Sequence, residues 1–207
     1  TYLARADNIN KYTDGRYNPD GQLATSAPAL TEAREFPLKP IPAAQALQPG
    51  ERFGLLITEE DACPASLLDD AVPATILGAV ATKLRSPLPV GGAATDFAQG
   101  AVVDAVDRAA RSLAVSGEVT ASVDWGSLLV EWATKNRVET IATAYAPVGP
   151  VAELLALAGE PLEHSGSRHL QLRRAHENDS WPHARRGYYK LRNQIPALLE
   201  QLEPTAS

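Results

Sequence analysis

The chain has 207 residues, 44% of them hydrophobic and 21% charged, with a formal net charge of −6. That length suits one sizeable core, or a domain of about 150 residues with an extension. No apolar run approaches the roughly 18 residues that span a bilayer, and the first residues lack a basic region followed by an apolar stretch, so a soluble, cytoplasmic protein with no membrane partner is expected. The single cysteine, Cys63, excludes an internal disulfide, and no Cys/His spacing suits zinc. Methionine is absent even at position 1, so the chain reads as a fragment or as a sequence whose methionines are modified.

Residues 1–18 are aromatic and mixed in charge, with Tyr2, Tyr12 and Tyr17, and do not resemble the start of a domain. Six of the sixteen prolines fall between Pro19 and Gly50. Proline fixes φ and removes a donor, so 19–50 is expected to be an extended linker or a strap across a surface, with independent structure from about residue 51 onward. Phe53 to Thr58 (FGLLIT) is a short apolar run before the acidic Glu59-Glu60-Asp61, and Ala74 to Ala81 (ATILGAVA) is a second. Neither alternates with polar residues, which marks strands covered on both faces, as in parallel sheets.

Asp96 can cap a helix in which Phe97, Ala101, Ala105, Ala109 and Leu113 recur near helical period, with Gly117 as its stop. Asp124 caps a clearer helix, with Trp125, Leu128, Leu129, Trp132 and Ala133 on one stripe, so both tryptophans are expected in the core. No strand stands out between these two helices. Val138 to Ala144 (VETIATA) is the next strand, followed by a helix that Pro150 opens and Gly159 closes. Arg168 to Arg173 alternates enough for a strand nearer an edge. Tyr188, Leu191, Ile195, Leu198, Leu199 and Leu202 form an apolar stripe whose helix should begin near Asn193, with Pro196 in its first turn.

Strands alternating with helices predict a doubly wound, Rossmann-like α/β fold: a mostly parallel sheet of about four or five strands flanked by helices, with an extended N-terminal arm. Ligands on such sheets bind beyond the carboxyl ends of the strands, where strand order reverses, so the loops after Thr58, Ala81, Ala144 and Arg173 are the places to look.

Charge is segregated. Residues 164–192 hold all four histidines and seven of the nineteen Lys and Arg residues against two acids, a local +5 that leaves −11 elsewhere. Interleaved with Arg173, Arg174, His183, Arg185 and Arg186 are Trp181, Tyr188 and Tyr189. Guanidinium groups beside aromatic faces suit a flat, anionic ligand or a cofactor cleft. The same residues also suit a domain interface, because Arg and Tyr bury stems and rings while their polar ends reach out. Other chemistry is thin. There is no GxGxxG or GxxxxGK[ST] loop, the glycine turn Val90 to Asp96 is weak because Asp96 would repel an anion, and Cys63 reads as an inert thiol. Glu59, Glu60 and Asp61 could ligate a metal or act as acid and base, but nothing pairs them with a nucleophile, so a solvated acidic loop is expected.

The succession of segments resembles the DNA photolyase and cryptochrome family. The strand and charged loop GLLITEEDACPASLLDD, the helix leading into VETIATA, the turn TAYAPVGP, the closing strand HLQLRR and the link Gly187 to Asn193 (GYYKLRN) match that family's α/β domain. Residues 1–19 (TYLARADNINKYTDGRYNP) look like the end of its flavin-binding helical domain. The resemblance implies that 1–18 is the tail of an FAD-binding helical domain, 19–50 a proline-rich linker and 51–207 an antenna-like α/β domain placed C-terminal to it.

It further implies FAD bound in the whole protein outside this chain, light-driven repair of damaged DNA or signalling, and the helical domain as partner. Arg173, Arg174, Trp181, His183, Arg185, Arg186, Tyr188 and Tyr189 would then face that domain or a cofactor cleft. Thr58-Glu59-Glu60-Asp61 stands where the family has an arginine-rich signature, so an antenna chromophore is allowed by the resemblance but not identified; the family's FAD site and catalytic residues would lie before Thr1, so no catalytic residue is named. A stand-alone nucleotide-binding or structural α/β module is the alternative.

Overall fold

The computed structural model describes residues 3–27, 40–184 and 188–202. The chain divides into two compact units, Thr1–Pro40 and Ile41–Ser207. In the first, helix α1 (Ala6–Tyr12) is followed by Thr13, whose hydroxyl donates to the Ile9 carbonyl at 2.7 Å.

The second unit is a five-stranded sheet: β1 (Phe53–Thr58), β2 (Thr75–Ala79), β3 (Gly117–Thr120), β4 (Thr140–Ala144) and β5 (Arg168–Leu172). The order is β3-β2-β1-β4-β5 and every pairing is parallel. All six residues of β1 and all five of β2 are buried, as their unbroken apolar runs require. The doubly wound α/β fold expected from the sequence is therefore present.

Alternation along the strands divides the core into two layers. Leu56, Leu77 and Ile141 face α3 (Trp125–Asn136) and α4 (Pro150–His164), packing on Trp125, Leu129, Trp132 and Leu155. Phe53, Leu55, Ile57 and Ile76 face the other way, onto Val102, Ala105 and Val106 of α2 (Gly92–Leu113). Helix α3 is built as its spacing implies: the Asp124 carboxylate accepts from the Ser127 amide at 3.1 Å, and Trp125 and Trp132 are buried. Trp132 lies so close to β1 that a Cβ at Gly54 would fall inside the ring's contact distance, which is why a glycine interrupts that strand.

Five local expectations are corrected. Helix α2 begins at Gly92, so Asp96 lies within it; it ends at Ala114 in the left-handed conformation, and Gly117 instead opens β3. Its buried stripe is Ala98, Val102, Ala105, Val106 and Ala109, one step from the expected one, and this leaves Phe97 79% exposed. Strand β3 exists where none was expected; it is a four-residue edge strand with Gly117 and Glu118 exposed, too short and too polar to show as an apolar run. Helix α4 does not stop at Gly159 but carries Pro161 inside it and runs to His164.

Only a 3-10 turn, Pro64–Leu67, lies between β1 and β2. The segment before β1 helps cover the edge of the sheet instead. Gln45 forms a β-bridge with Leu172, and its side-chain carbonyl accepts from the Gln171 amide at 2.6 Å. Such cover masks the open hydrogen-bonding groups of an edge strand. At the amino end of the sheet, Glu51 is ion-paired with Arg168 at 2.6 Å. Beyond β5 the chain turns through α5 (Ala175–Ser180), a 3-10 turn (Trp181–His183), α6 (Tyr188–Arg192) and α7 (Ile195–Leu202). Pro196 sits in the first turn of α7, as its missing N–H permits. No helix among the described residues is long and apolar enough to cross a membrane.

Candidate site at the carboxyl edge of the sheet

In the order β3-β2-β1-β4-β5 the direction of winding reverses between β1 and β4, and the crevice beyond their carboxyl ends is where such sheets hold ligands. A cavity of about 310 Å³ lies there, lined by Thr58, Glu60, Asp61, Tyr145, Val148 and Glu177 among others. The walls come from the loops after β1 and β4 and from α5, two of them loops that the topology singles out in the sequence.

The acidic loop is not the solvated loop its composition suggests. The Glu59 side chain is only 4% exposed; its carboxylate accepts from the Ala81 amide at 2.9 and 3.0 Å and from the Thr82 hydroxyl at 2.9 Å, with Arg85 3.9 Å away. It thus ties the end of β1 to the turn after β2. Asp61 is held from the chain beyond β5. Its Oδ2 accepts from Arg174 Nη1 at 2.7 Å and its Oδ1 from Arg174 Nη2 at 2.9 Å.

Arg174 is saturated. Beyond Asp61 it donates from Nη1 to Glu177 Oε1 at 2.8 Å, from Nη2 to the Cys63 carbonyl at 2.8 Å and from Nε to Ser66 Oγ at 2.7 Å. All five guanidinium N–H groups are used, which raises its pKa further, chiefly through Asp61 and then Glu177, against the opposing effect of burial. Glu177 also accepts from the Arg174 amide at 2.8 Å, which closes the first turn of α5. Arg174 is therefore a clamp between β1 and the chain beyond β5, with nothing left to offer a ligand.

Glu60 behaves differently. Its side chain is exposed by area, yet its carboxyl titrates above the ordinary value, first because neighbouring atoms strip water from it. Glu59 adds repulsion, while Arg85 and the Val151 amide oppose the shift. The Val151 amide belongs to the first turn of α4, entered through Gly149 at φ +107°, a conformation open to glycine but strained for other residues. The Glu60 carboxylate thus lies beside the start of α4, its Oε1 3.8 Å from where a Cβ at Gly149 would sit, on the side where a bound anion would otherwise gain from the helix.

Arg173 faces another set of groups. Its guanidinium lies 5.1 Å over the Tyr145 ring and Nη2 donates to the Pro42 carbonyl at 2.6 Å, while Nη1 is buried without a hydrogen-bond partner. Trp181 meets the same Tyr145 ring edge-on, with centroids 5.5 Å apart. The cluster Arg173–Tyr145–Trp181 and the clamp Arg174–Asp61–Glu177 together fasten the segment after β5 across the carboxyl edge. Tyr145 was not singled out by the sequence, since its aromatic-proline turn reads as a connection.

Of the remaining candidates, His183, Tyr188 and Tyr189 are exposed, the last two in an edge-to-face pair at 5.7 Å, and do not join this cluster. Arg185 and Arg186 lie outside the described residues. A groove of about 700 Å³ runs between the segment Gln45–Glu51 and the loop Leu67–Val72, and among the described residues no serine, threonine, cysteine, histidine or lysine lines it. Cys63 is a free, exposed thiol. Among the described residues no group of three or more His, Cys, Asp or Glu side chains is placed to hold a metal ion. Neither models of known protein families nor curated proteins give a match to the chain.

Proposed function

We propose that this chain is the C-terminal, antenna-like α/β portion of a photolyase/cryptochrome-like flavoprotein, in which light-driven DNA repair or signalling is performed by FAD on a preceding helical domain. The α/β portion then serves as a docking module, and the aromatic-basic segment after β5 is its seam. The observation that carries this reading is the saturation of Arg174. Arg174, a largely buried cation of the basic cluster, spends every donor on Asp61, Glu177, Cys63 and Ser66, so it is built to fix the segment in place. A site for chemistry needs groups left unspent.

The exposed pair Tyr188 and Tyr189 supports the same reading, because large amphipathic rings at a surface are favoured in contacts between domains. The photolyase-like succession of segments supplies the identity of the partner: the FAD-binding helical domain, with damaged DNA reached through it. No step of the chemistry is placed on a residue of this chain.

The absorption spectrum of the full-length protein, purified in the dark, tests this reading. Flavin bands in the near-ultraviolet and blue are expected, and their absence from protein purified under several gentle conditions would sink it. The crevice between β1 and β4 favours a second reading, a nucleotide-binding module without catalysis. Calorimetric titration of the 207-residue chain with ATP, AMP and FAD separates the two, since only the second expects the free nucleotide to bind with the helical domain absent.

A further inference from the structure

We propose that the pocket between the Trp181–His183 turn and the α6–α7 connection is a binding site for a phosphate group. The cavity, about 350 Å³, is lined by Pro182, His183, Lys190, Asn193 and Gln194. Among the described residues no carboxylate lines it, although the chain as a whole carries −6. Among the described residues, no acidic side chain lies within ion-pair distance of Lys190 or His183. The contrast with Arg174 is direct: one cation of the same segment is spent on two carboxylates, while Lys190 lines an open cavity beside polar donors.

The donors arrive from separate elements. His183 comes from the 3-10 turn, Lys190 from α6, and the two carboxamides from the connection that leads into α7. A lysine supplies a mobile point charge, an imidazole one or two N–H groups and each carboxamide two more, an assortment that suits an anion accepting from several directions. A tetrahedral phosphate uses such a spread; a planar carboxylate would leave part of it idle. Asn193 and Gln194 also stand at the amino end of α7, whose dipole adds in the same sense. The site is distinct from the β1/β4 crevice and stands on residues of this chain alone, whatever flavoprotein the chain belongs to.

The phosphate could belong to a free nucleotide or to the backbone of a single strand, and the test separates these sources. Amide and side-chain NMR spectra of the 207-residue chain would be followed during titration with inorganic phosphate, with AMP and with a short single-stranded oligonucleotide. Saturable shifts centred on His183, Lys190, Asn193 and Gln194 are expected with inorganic phosphate. Lys190→Ala should weaken binding about tenfold, the effect of losing one charge-assisted hydrogen bond, whereas Lys11→Ala should not change it.

Tighter binding of AMP than of phosphate assigns a nucleotide, and tighter binding of the oligonucleotide than of AMP assigns a strand; either upholds the site. Shifts that fail to saturate, that centre elsewhere, or that survive Lys190→Ala overturn it. Because Asn193→Leu removes donors and leaves Lys190 in place, it guards against a misfolded Lys190 variant: unchanged phosphate binding in a folded Asn193→Leu protein also overturns the proposal.

Discussion

Arg174 and Asp61, 113 positions apart in the chain, meet in a two-point ion pair whose N–O distances are 2.7 and 2.9 Å. The Arg174 side chain is 11% exposed and that of Asp61 20%, so the pair is poorly screened, and loss of the Asp61 charge would leave the guanidinium with Glu177 alone as its ion-pair partner among the described residues. Asp61→Asn should therefore destabilise the α/β unit by about 2–3 kcal/mol, below the range for fully buried pairs because some solvent reaches both groups. Urea denaturation of the full chain measures this, and a loss below about 0.5 kcal/mol, the level of a surface pair, would show that the clamp contributes little.

Gly54 offers a packing test independent of charge. A Cβ there collides with Trp132, whose ring is buried. Gly54→Ala should lower stability by about 1–3 kcal/mol, the usual cost of overpacking a core. Intrinsic fluorescence should change with it as Trp132 is displaced. A neutral substitution would mean that the sheet and α3 are further apart than described.

The segment after β5 should open by itself. Helix α5 and the following turn bury no side chain in the core, and they are attached through Glu177 and the contact of Trp181 with Tyr145. Trp181→Ala should speed amide exchange over residues 175–183 by about fivefold, the loss of one edge-on aromatic contact, with β1 and β4 unaffected. Equal acceleration in β1 and β4 would make the segment part of the cooperative core.

Acid should weaken the fold in two stages. Burial holds the His169 imidazole below its ordinary value of 6.5, so the unfolded chain takes up a proton first and stability falls as pH drops below 6.5 toward the folded value. Glu51 is held below its ordinary 4.5 by the Gln48 amide, then the Thr140 hydroxyl and Arg168. Its contribution is whole above 4.5 and is lost as pH falls through the lowered folded value. Glu60 acts in the opposite sense: its raised value makes its contribution whole below 4.5 and lost as pH rises through the folded value. Thermal melts from pH 7 downward should show the first loss diminished in His169→Gln; an unchanged profile would remove His169 from the account.

The sheet was legible because burial on both faces writes itself locally. FGLLIT and the core of ATILGAVA have no polar alternation, and both are central strands. Strand β3 was not legible, since an edge strand of Gly117-Glu118-Val119-Thr120 has little to bury. In α2 the alanines and valines support two adjacent helical stripes, and only the packing of Val102 and Val106 against Gly78 decides between them. The carboxyl edge was half legible. Topology points to the loops after Thr58 and Ala144, and the basic cluster draws notice to Arg173 and Arg174. Their partners, Tyr145 and Asp61, are far away in sequence, and a long-range ion pair leaves no periodic trace in either segment.

Flavin content tests the central claim most directly: that this α/β unit is a docking portion whose chemistry belongs to another domain. The full-length protein and the 207-residue chain would be purified side by side in the dark and assayed for bound flavin. Stoichiometric flavin in the full-length protein and none in the 207-residue chain is the result expected. A full-length protein free of flavin, or a 207-residue chain that retains flavin by itself, would contradict the claim.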